Sequence, residues 1–274
     1  AEDGSGANVN DGLGALPYGK YTISEIRTDT NEGLKLQKID YYISKEGKTV
    51  DLGTVTDDRE TPEIGTTLTD TVTKEHIAFP DKKVKLVDKV SYKNLRKGKE
   101  YTVTGVLMDK STGGKVIVGG KEVTASTKFT AEKSNGSVDV TFEFDATGLE
   151  GTSVVAFEDV YEGNLKVGTH ADINDEGQTV EIPKVRTTLV DSKTKDHVSK
   201  AEQKVTLIDT VKYEKLIVGK EYTVSGELMD KATGKSIGVK GSTKFKAEKP
   251  NGSVDIKFEF DASKLEGKSV VAFE

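Results

Sequence analysis

From about residue 61 the chain is written twice, and this duplication limits its possible folds more than any other feature. Thr66-Thr67-Leu68 returns as Thr187-Thr188-Leu189, an offset of 187 − 66 = 121. Tyr101–Gly105 and Leu107–Lys110 return at the same offset, with Ser225 standing for Thr104. Ser126–Glu158 then returns as Ser242–Glu274 at an offset of 116, so five residues have dropped out of the loop between. Of these 33 aligned positions 26 are identical, so both copies must adopt one fold.

That fold is legible in the alternation of side chains. Val138, Val140, Phe142 and Phe144 alternate with Asp139, Thr141 and Glu143, the pattern of a strand with one face in a core. Val84–Tyr92, Glu100–Met108, Ser153–Glu158 and Gln178–Ile182 read as further short strands at sandwich spacing. Asn135-Gly136 suits a tight turn and predicts a hairpin between Thr127–Ala131 and the strand that follows. No helical period runs long enough to compete. The class is all-β: tandem Ig-like β-sandwiches, copy one at 61–183 and copy two at 184–274. The counterpart of Gln178 would fall at 178 + 116 = 294, so copy two is expected to lack its last strand. Its free edge should then accept a strand from another molecule.

Residues 1–60 predict a smaller β module. Gly14–Gly19 is a turn cluster, and Lys20–Ile26, Ile39–Ser44 and Thr49–Thr56 read as strands, the last two joined by a turn at Lys45–Lys48. Glu25 shares a face with Tyr21 and Ile23. Periodicity alone favours a strand-end carboxylate reaching solvent.

Charge excludes several functions. The formal net charge is −6, with Lys and Asp/Glu interspersed and no basic run, which argues against nucleic acid or an anionic membrane as partner. Apolar runs are too short to span a bilayer, and Ala1–Gly6 carries no signal core, so any targeting segment is expected outside this sequence. Cysteine is absent, so a secreted protein of this kind needs another staple.

The motif richest in chemistry is His170–Val180. Asp172-x-Asn174-x-Glu176-Gly177 has a superficial calcium-loop look. The twelfth position of such a loop should be Glu and is Pro183, and no metal is expected. Asn135-Gly136-Ser137 and Asn251-Gly252-Ser253 fit the glycosylation triplet, though a turn explains both. His76 and His197 occupy equivalent positions and read as surface loop. A hydroxyl nucleophile needs a base, and the base an orienting acid. Thr66, His170 and the carboxylates of Asp175 and Glu158 supply those types, with Gln178 opening a strand. Spacing alone leaves this reading and a plain loop-and-strand reading equally open.

Two resemblances bear on the choice. Tyr21-x-x-x-Glu25 after a Pro-Gly turn, with Val55-Thr56-Asp57 later, resembles the C-terminal part of a CnaB-type Ig-like domain. There a buried Glu promotes an isopeptide bond between a first-strand Lys and a last-strand Asn or Asp. Glu25 matches the Glu and Asp57 the acceptor. The Lys-bearing strand would precede Ala1, so no bond is assigned to this module. Val154–Asp159 and Val270–Glu274 resemble the VaFE repeat of Gram-positive surface proteins, itself similar to the ester-bond Ig-like domains of adhesin shafts. In that family the first Thr of a Thr-Thr pair attacks the amide of a last-strand Gln, releasing ammonia and leaving an intramolecular ester.

Carried over, the resemblance implies Thr66 as nucleophile and Gln178 as acceptor, assisted by Glu158, His170 and Asp175. His170 would take the Thr66 proton, and Glu158 and Asp175 would share a proton and stabilise the oxyanion. In copy two Thr187 and Glu274 match, while His, Asp and Gln have no counterpart; Asp172 and Glu176 are left as solvated loop. The expected function is a stalk segment of an extracellular, cell-wall-anchored adhesin or fimbria. Its partners would be neighbouring domains of the same adhesin, with any host surface or matrix ligand met through a separate tip. The chemistry turns over once, so no enzyme and no cofactor is expected. A ligand-binding adhesive module, or a hydrolase built on Thr66 and His170, is the rival. Closing a 112-residue span (178 − 66) restricts the unfolded chain by roughly 4.7 kcal/mol on a disulfide-type entropy model.

Overall fold

The computed structural model describes residues 16, 18–28, 30–31, 33–44 and 51–274. Their regular structure is strand throughout, apart from one 3-10 turn. The strands run β1 (Gly19–Ser24), β2 (Lys38–Ile43), β3 (Glu63–Gly65), β4 (Leu68–Asp70), β5 (Val84–Lys93), β6 (Glu100–Asp109), β7 (Ile117–Val118), β8 (Lys121–Glu122), β9 (Thr124–Thr130), β10 (Gly136–Phe144), β11 (Thr152–Glu162), β12 (Leu165–His170) and β13 (Thr179–Ile182). Copy two continues with β14 (Lys184–Asp191), β15 (Val205–Glu214), β16 (Glu221–Asp230), β17 (Lys235–Lys246), β18 (Gly252–Phe260) and β19 (Val270–Phe273).

In copy one β3 and β4 pair with β5, which pairs with β10. The facing sheet runs β12-β11-β6-β9, with β13 joined to the other end of β11. Antiparallel pairing places alternate side chains between the sheets. Leu86, Val90, Val103, Leu107, Val140, Phe142, Val154 and Ala156 are wholly buried there, forming one core. Copy two repeats the plan with β14-β15-β18 against β17-β16-β19. The molecule is a tandem of Ig-like β-sandwiches, as the alternation predicts. The turn and extra β7–β8 ribbon of copy one account for the longer loop; in copy two β17 runs through without it.

Three sequence expectations need correction. Thr127–Ala131 and the strand after Asn135-Gly136 do not form a hairpin. β9 pairs with β6 and β10 with β5, so the connection passes from one sheet to the other. Alternation assigns a face, not a partner, and here the connecting loop is held by β5's end: the Leu95 N–H donates to the Ser134 carbonyl and the Asn94 N–H to Asn135 Oδ1. Gly136 is glycine because a Cβ there would lie 2.5 Å from the Tyr92 hydroxyl, not because of positive φ. The strand expected at Thr49–Thr56 is absent over 51–56, a stretch of mostly exposed residues in which Leu52 and Val55 face solvent; Arg59 makes a bridge with Leu34 instead. The Lys45–Lys48 turn and half of the Gly14–Gly19 cluster lie outside the described residues. A strand that was not expected, β12, extends the edge of β11 and ends on His170.

Candidate functional site

β3 and β4 share one register on β5, Gly65 opposite Ser91 and Leu68 opposite Asp88. Thr66 and Thr67 continue that register, and Thr67 and Lys89 exchange backbone hydrogen bonds of 3.0 and 3.2 Å. Alternation therefore turns Thr66 inward and leaves Thr67 exposed. Glu158 enters from β11, where the burial pattern keeps it inside at 1% exposure, and it pairs across the ladder with His170 of β12. Gln178, wholly buried, closes the 3-10 turn Glu176–Gln178 just before β13, one residue short of the strand that its sequence suggests.

That turn is built by Asp175. Its Oδ1 accepts from the Gly177 N–H at 2.8 Å, capping the turn, and its Oδ2 meets His170 Nε2 at 2.8 Å. Thr179 braces the same turn, its hydroxyl donating to the Asp175 carbonyl at 2.7 Å while accepting from Lys110 Nζ. Partial burial works against ionisation of Asp175, but the His170 and Gly177 hydrogen bonds win and hold its carboxyl below the usual range. Asp172 and Glu176 face solvent.

Three of the candidate side chains meet at one oxygen. Glu158 Oε2 accepts from Gln178 Nε2 at 2.8 Å and from the Thr66 hydroxyl at 3.5 Å. The structure thus brings Thr66, Glu158 and Gln178 together, with His170 at the end of the flanking strand and its partner Asp175 in the loop that follows.

The carboxyl that faces Glu158 is Asp88 rather than Asp175, which is committed to His170 and Gly177. Asp88 is wholly buried on β5 between Leu86 and Val90. Burial first, and the Asp88 carboxyl second, push Glu158 up to about 10; burial raises Asp88 as well. Glu158 Oε1 and both Asp88 oxygens have no donor nearby among protein groups. A proton held between the two carboxyls supplies the missing donor, since two adjacent buried carboxylates resist double ionisation. Asp88 was missed at the sequence level, yet its signal is there: an acid on the apolar face of an alternating strand, repeated at Asp209 (88 + 121).

Copy two holds the same pair of acids beside its Thr-Thr pair. Asp209 is wholly buried with both oxygens unpartnered. Burial, then Asp209, push Glu274 up to about 8, and Thr187 hydrogen-bonds to it. His197 is exposed and bonds the Leu189 carbonyl at 2.8 Å, whereas His76 corrects its surface assignment: it is half-buried, with Nδ1 enclosed and unpartnered, because β13 lies against it. In the N-terminal module the Glu25 carboxylate accepts from Asn31 Nδ2 at 2.7 Å and the Gln37 N–H at 3.1 Å, and Asn31 above all lowers it. Lost hydration and then Glu25 raise Asp57, so these two acids also stand together. Among the described residues no cluster of His, Asp or Glu is placed to hold a metal. No helix among them is long and apolar enough to cross a membrane.

A family model described as a T-Q ester bond containing domain matches residues 62–182 and again 183–274. The chain belongs to that family. Two crystal forms of a bacterial adhesin from Mobiluncus mulieris, containing intramolecular disulfide, isopeptide and ester bond cross-links, are similar to it. One shares 14% identity over 72% of this chain and 76% of the other, the second 13% over 78% and 98%, each with a TM-score of 0.38. No curated protein matches it. As a T-Q domain protein, the chain carries a family built around an ester cross-link between Thr and Gln side chains.

Proposed function

We propose that copy one closes an ester between Thr66 and Gln178 and that the chain is a stalk segment of an extracellular, cell-wall-anchored adhesin. The observation that supports the chemistry is the single oxygen, Glu158 Oε2, in reach of both reacting side chains. The Thr66 Oγ attacks the Gln178 side-chain carbonyl carbon; the hydroxyl proton passes to Glu158 Oε2 while the proton that Glu158 already holds moves to Asp88, and this relay reverses in the next step. The tetrahedral oxyanion collapses with loss of the amide nitrogen, which takes that proton from the same oxygen and departs as ammonia. One C–O bond forms and one C–N bond breaks, with no other reagent.

Within this scheme Glu158 takes the first-acceptor role that the family resemblance gave to His170. The proton shared with Asp88 keeps the acid pair at a single negative charge, so one carboxylate oxygen remains basic inside the core. His170, oriented by Asp175, stands across the ladder from Glu158 and favours the charge that Asp88 carries. Burial excludes water that would otherwise hydrolyse the product ester. The reaction occurs once per molecule, which is cross-linking rather than enzymatic turnover. Residues 1–60 fit a CnaB-like module in which Glu25 and Asp57 are the facing acids. Partners are the neighbouring domains of the same surface protein, with any host ligand bound elsewhere.

Intact mass tests the chemistry. The expected value is the sequence mass less one ammonia for each ester formed, and Thr66→Ala should restore the full mass. An unaltered parent mass, or a loss that persists in Thr66→Ala, rejects the assignment.

A further inference from the structure

Gly168 lies on β12 two residues before His170, and Ile64 lies on β3 two residues before Thr66. The two strands belong to opposite sheets and pack directly on one another. A Cβ placed on Gly168 would lie 2.5 Å from Ile64 Cγ1, 3.1 Å from Cδ1 and 3.9 Å from Cβ. The first distance is far inside van der Waals contact, and Cγ1 is bonded directly to the branch-point Cβ rather than being a mobile tip. Gly168 does not have positive φ, so alanine would meet no backbone strain there. Space alone excludes a side chain.

The periodicity of the two strands ties this contact to the site. Side chains recur on one face every second residue, so the face that carries Gly168 carries His170, and the face that carries Ile64 carries Thr66. Ile64 seated on the bare backbone of Gly168 sets the separation of β12 and β3 at the point where Thr66 and His170 enter the site.

From this we infer that Gly168 and Ile64 form a spacer that sets the distance between the strand bearing Thr66 and the strand bearing His170, and so governs the rate of ester closure. Both are positioning residues, since neither touches the reacting atoms. The inference rests on the ester reading above.

The test follows ammonia loss by intact mass in the freshly translated full chain. Gly168→Ala should form the ester about tenfold or more slowly than the parent, and Gly168→Ala combined with Ile64→Ala, which removes Cγ1 and Cδ1, should return to within about threefold, because displacements near 1 Å have effects of this order. Melting temperatures of the same variants in a Thr66→Ala chain separate rate from general destabilisation. Parent-like closure in folded Gly168→Ala, no rescue in the folded double variant, or rates that merely follow melting temperature would each overturn the inference. If Gly168→Ala does not fold, Ile64→Phe presses on Gly168 from the partly exposed opposite strand; it should slow closure, and parent-like closure overturns the spacer. A parent chain that never loses ammonia rejects the ester reading itself, whereas a cross-linked parent with unaffected variants rejects only the spacer.

Discussion

At the scale of single residues the decisive group is Asp88, because its burial makes sense only beside Glu158. Removing its charge should leave Glu158 free to ionise or to hold its proton away from Gln178. Asp88→Asn is expected to slow ester formation by about 10²–10⁴, the range for loss of a general acid–base partner, with the fold retained. Time-resolved intact mass checks it, and closure at the parent rate would assign the shared proton elsewhere. The raised Glu158 also has a consequence for stability. Its carboxyl titrates near 4.5 when unfolded and about 10 when folded. Between those values the folded state holds a proton that the unfolded state has lost. Stability from this group is therefore full below about pH 4.5 and declines as pH rises towards 10. In a Thr66→Ala chain, which cannot cross-link, denaturant midpoints should fall over that window, and Glu158→Gln should flatten the fall. A midpoint with the same slope in both proteins would show that Glu158 is ionised in the fold.

Among elements, β13 of copy one and the groove beside β19 of copy two are the most instructive comparison. In copy one β13 pairs with β11 from Val155↔Thr179 to Thr152↔Ile182, while its far edge meets the loop at His76–Ala78. Val180 and Ile182 are wholly buried between. In copy two β19 pairs with β16 alone among the described residues, and Leu189, Val205, Leu207, Phe260, Leu265 and Val270 line a groove in the matching place. A peptide with the sequence of residues 165–183 should bind this groove by strand addition, with saturable binding to the whole chain. Thr187→Ala should leave binding intact and abolish any covalent adduct; no binding to the parent would show that the groove does not accept a strand. These elements also show what the sequence carries. The duplication and the alternation at Val138–Phe144 make fold class and core legible, while the five candidate site residues come from the family resemblance that the Thr-Thr pair and the Val-Ala-Phe-Glu motif carry, since spacing alone left them open. Asp88 was readable but unread, since an inward acid in an alternating strand looks like one irregularity until its repeat partner Asp209 is aligned. β12 was not readable: Leu165–His170 is largely exposed, and its strand state comes from pairing with β11 past a register shift at Val160/Tyr161. Partner choice at β9 and β10 is likewise tertiary, which is why the Asn-Gly signal misled.

For the molecule as a whole, what matters is how the repeats join. Only Pro183 separates β13 of copy one from β14 of copy two, so tension on Gln178 would pass through β13 straight into the next repeat. Around it Lys215 Nζ donates to Ser153 Oγ at 2.6 Å and pairs with Glu181 Oε2 at 3.2 Å, while Lys220 pairs with Glu75. Ile77 of copy one, 2% exposed, packs against Tyr213, Leu216 and Ala247 of copy two. The magnitudes rank these contacts. Both ion pairs have side chains about a third exposed, where such pairs contribute about 0–1 kcal/mol. Truncating a buried Ile costs about 2–5 kcal/mol. The joint should therefore be held by Ile77 and merely oriented by Lys215. The absence of cysteine allows clean spin-labelling at Lys128→Cys and Lys244→Cys, equivalent exposed positions in the two repeats. The dipolar distance distribution should be narrow in the parent, nearly as narrow in Lys215→Ala, and broad in Ile77→Asp, with retained ammonia loss reporting that copy one is still folded and cross-linked. A distribution that broadens with Lys215→Ala and not with Ile77→Asp would reverse the ranking. In the proposed stalk the Thr66–Gln178 ester would keep copy one closed under load, and a joint held by Ile77 would pass that load to copy two.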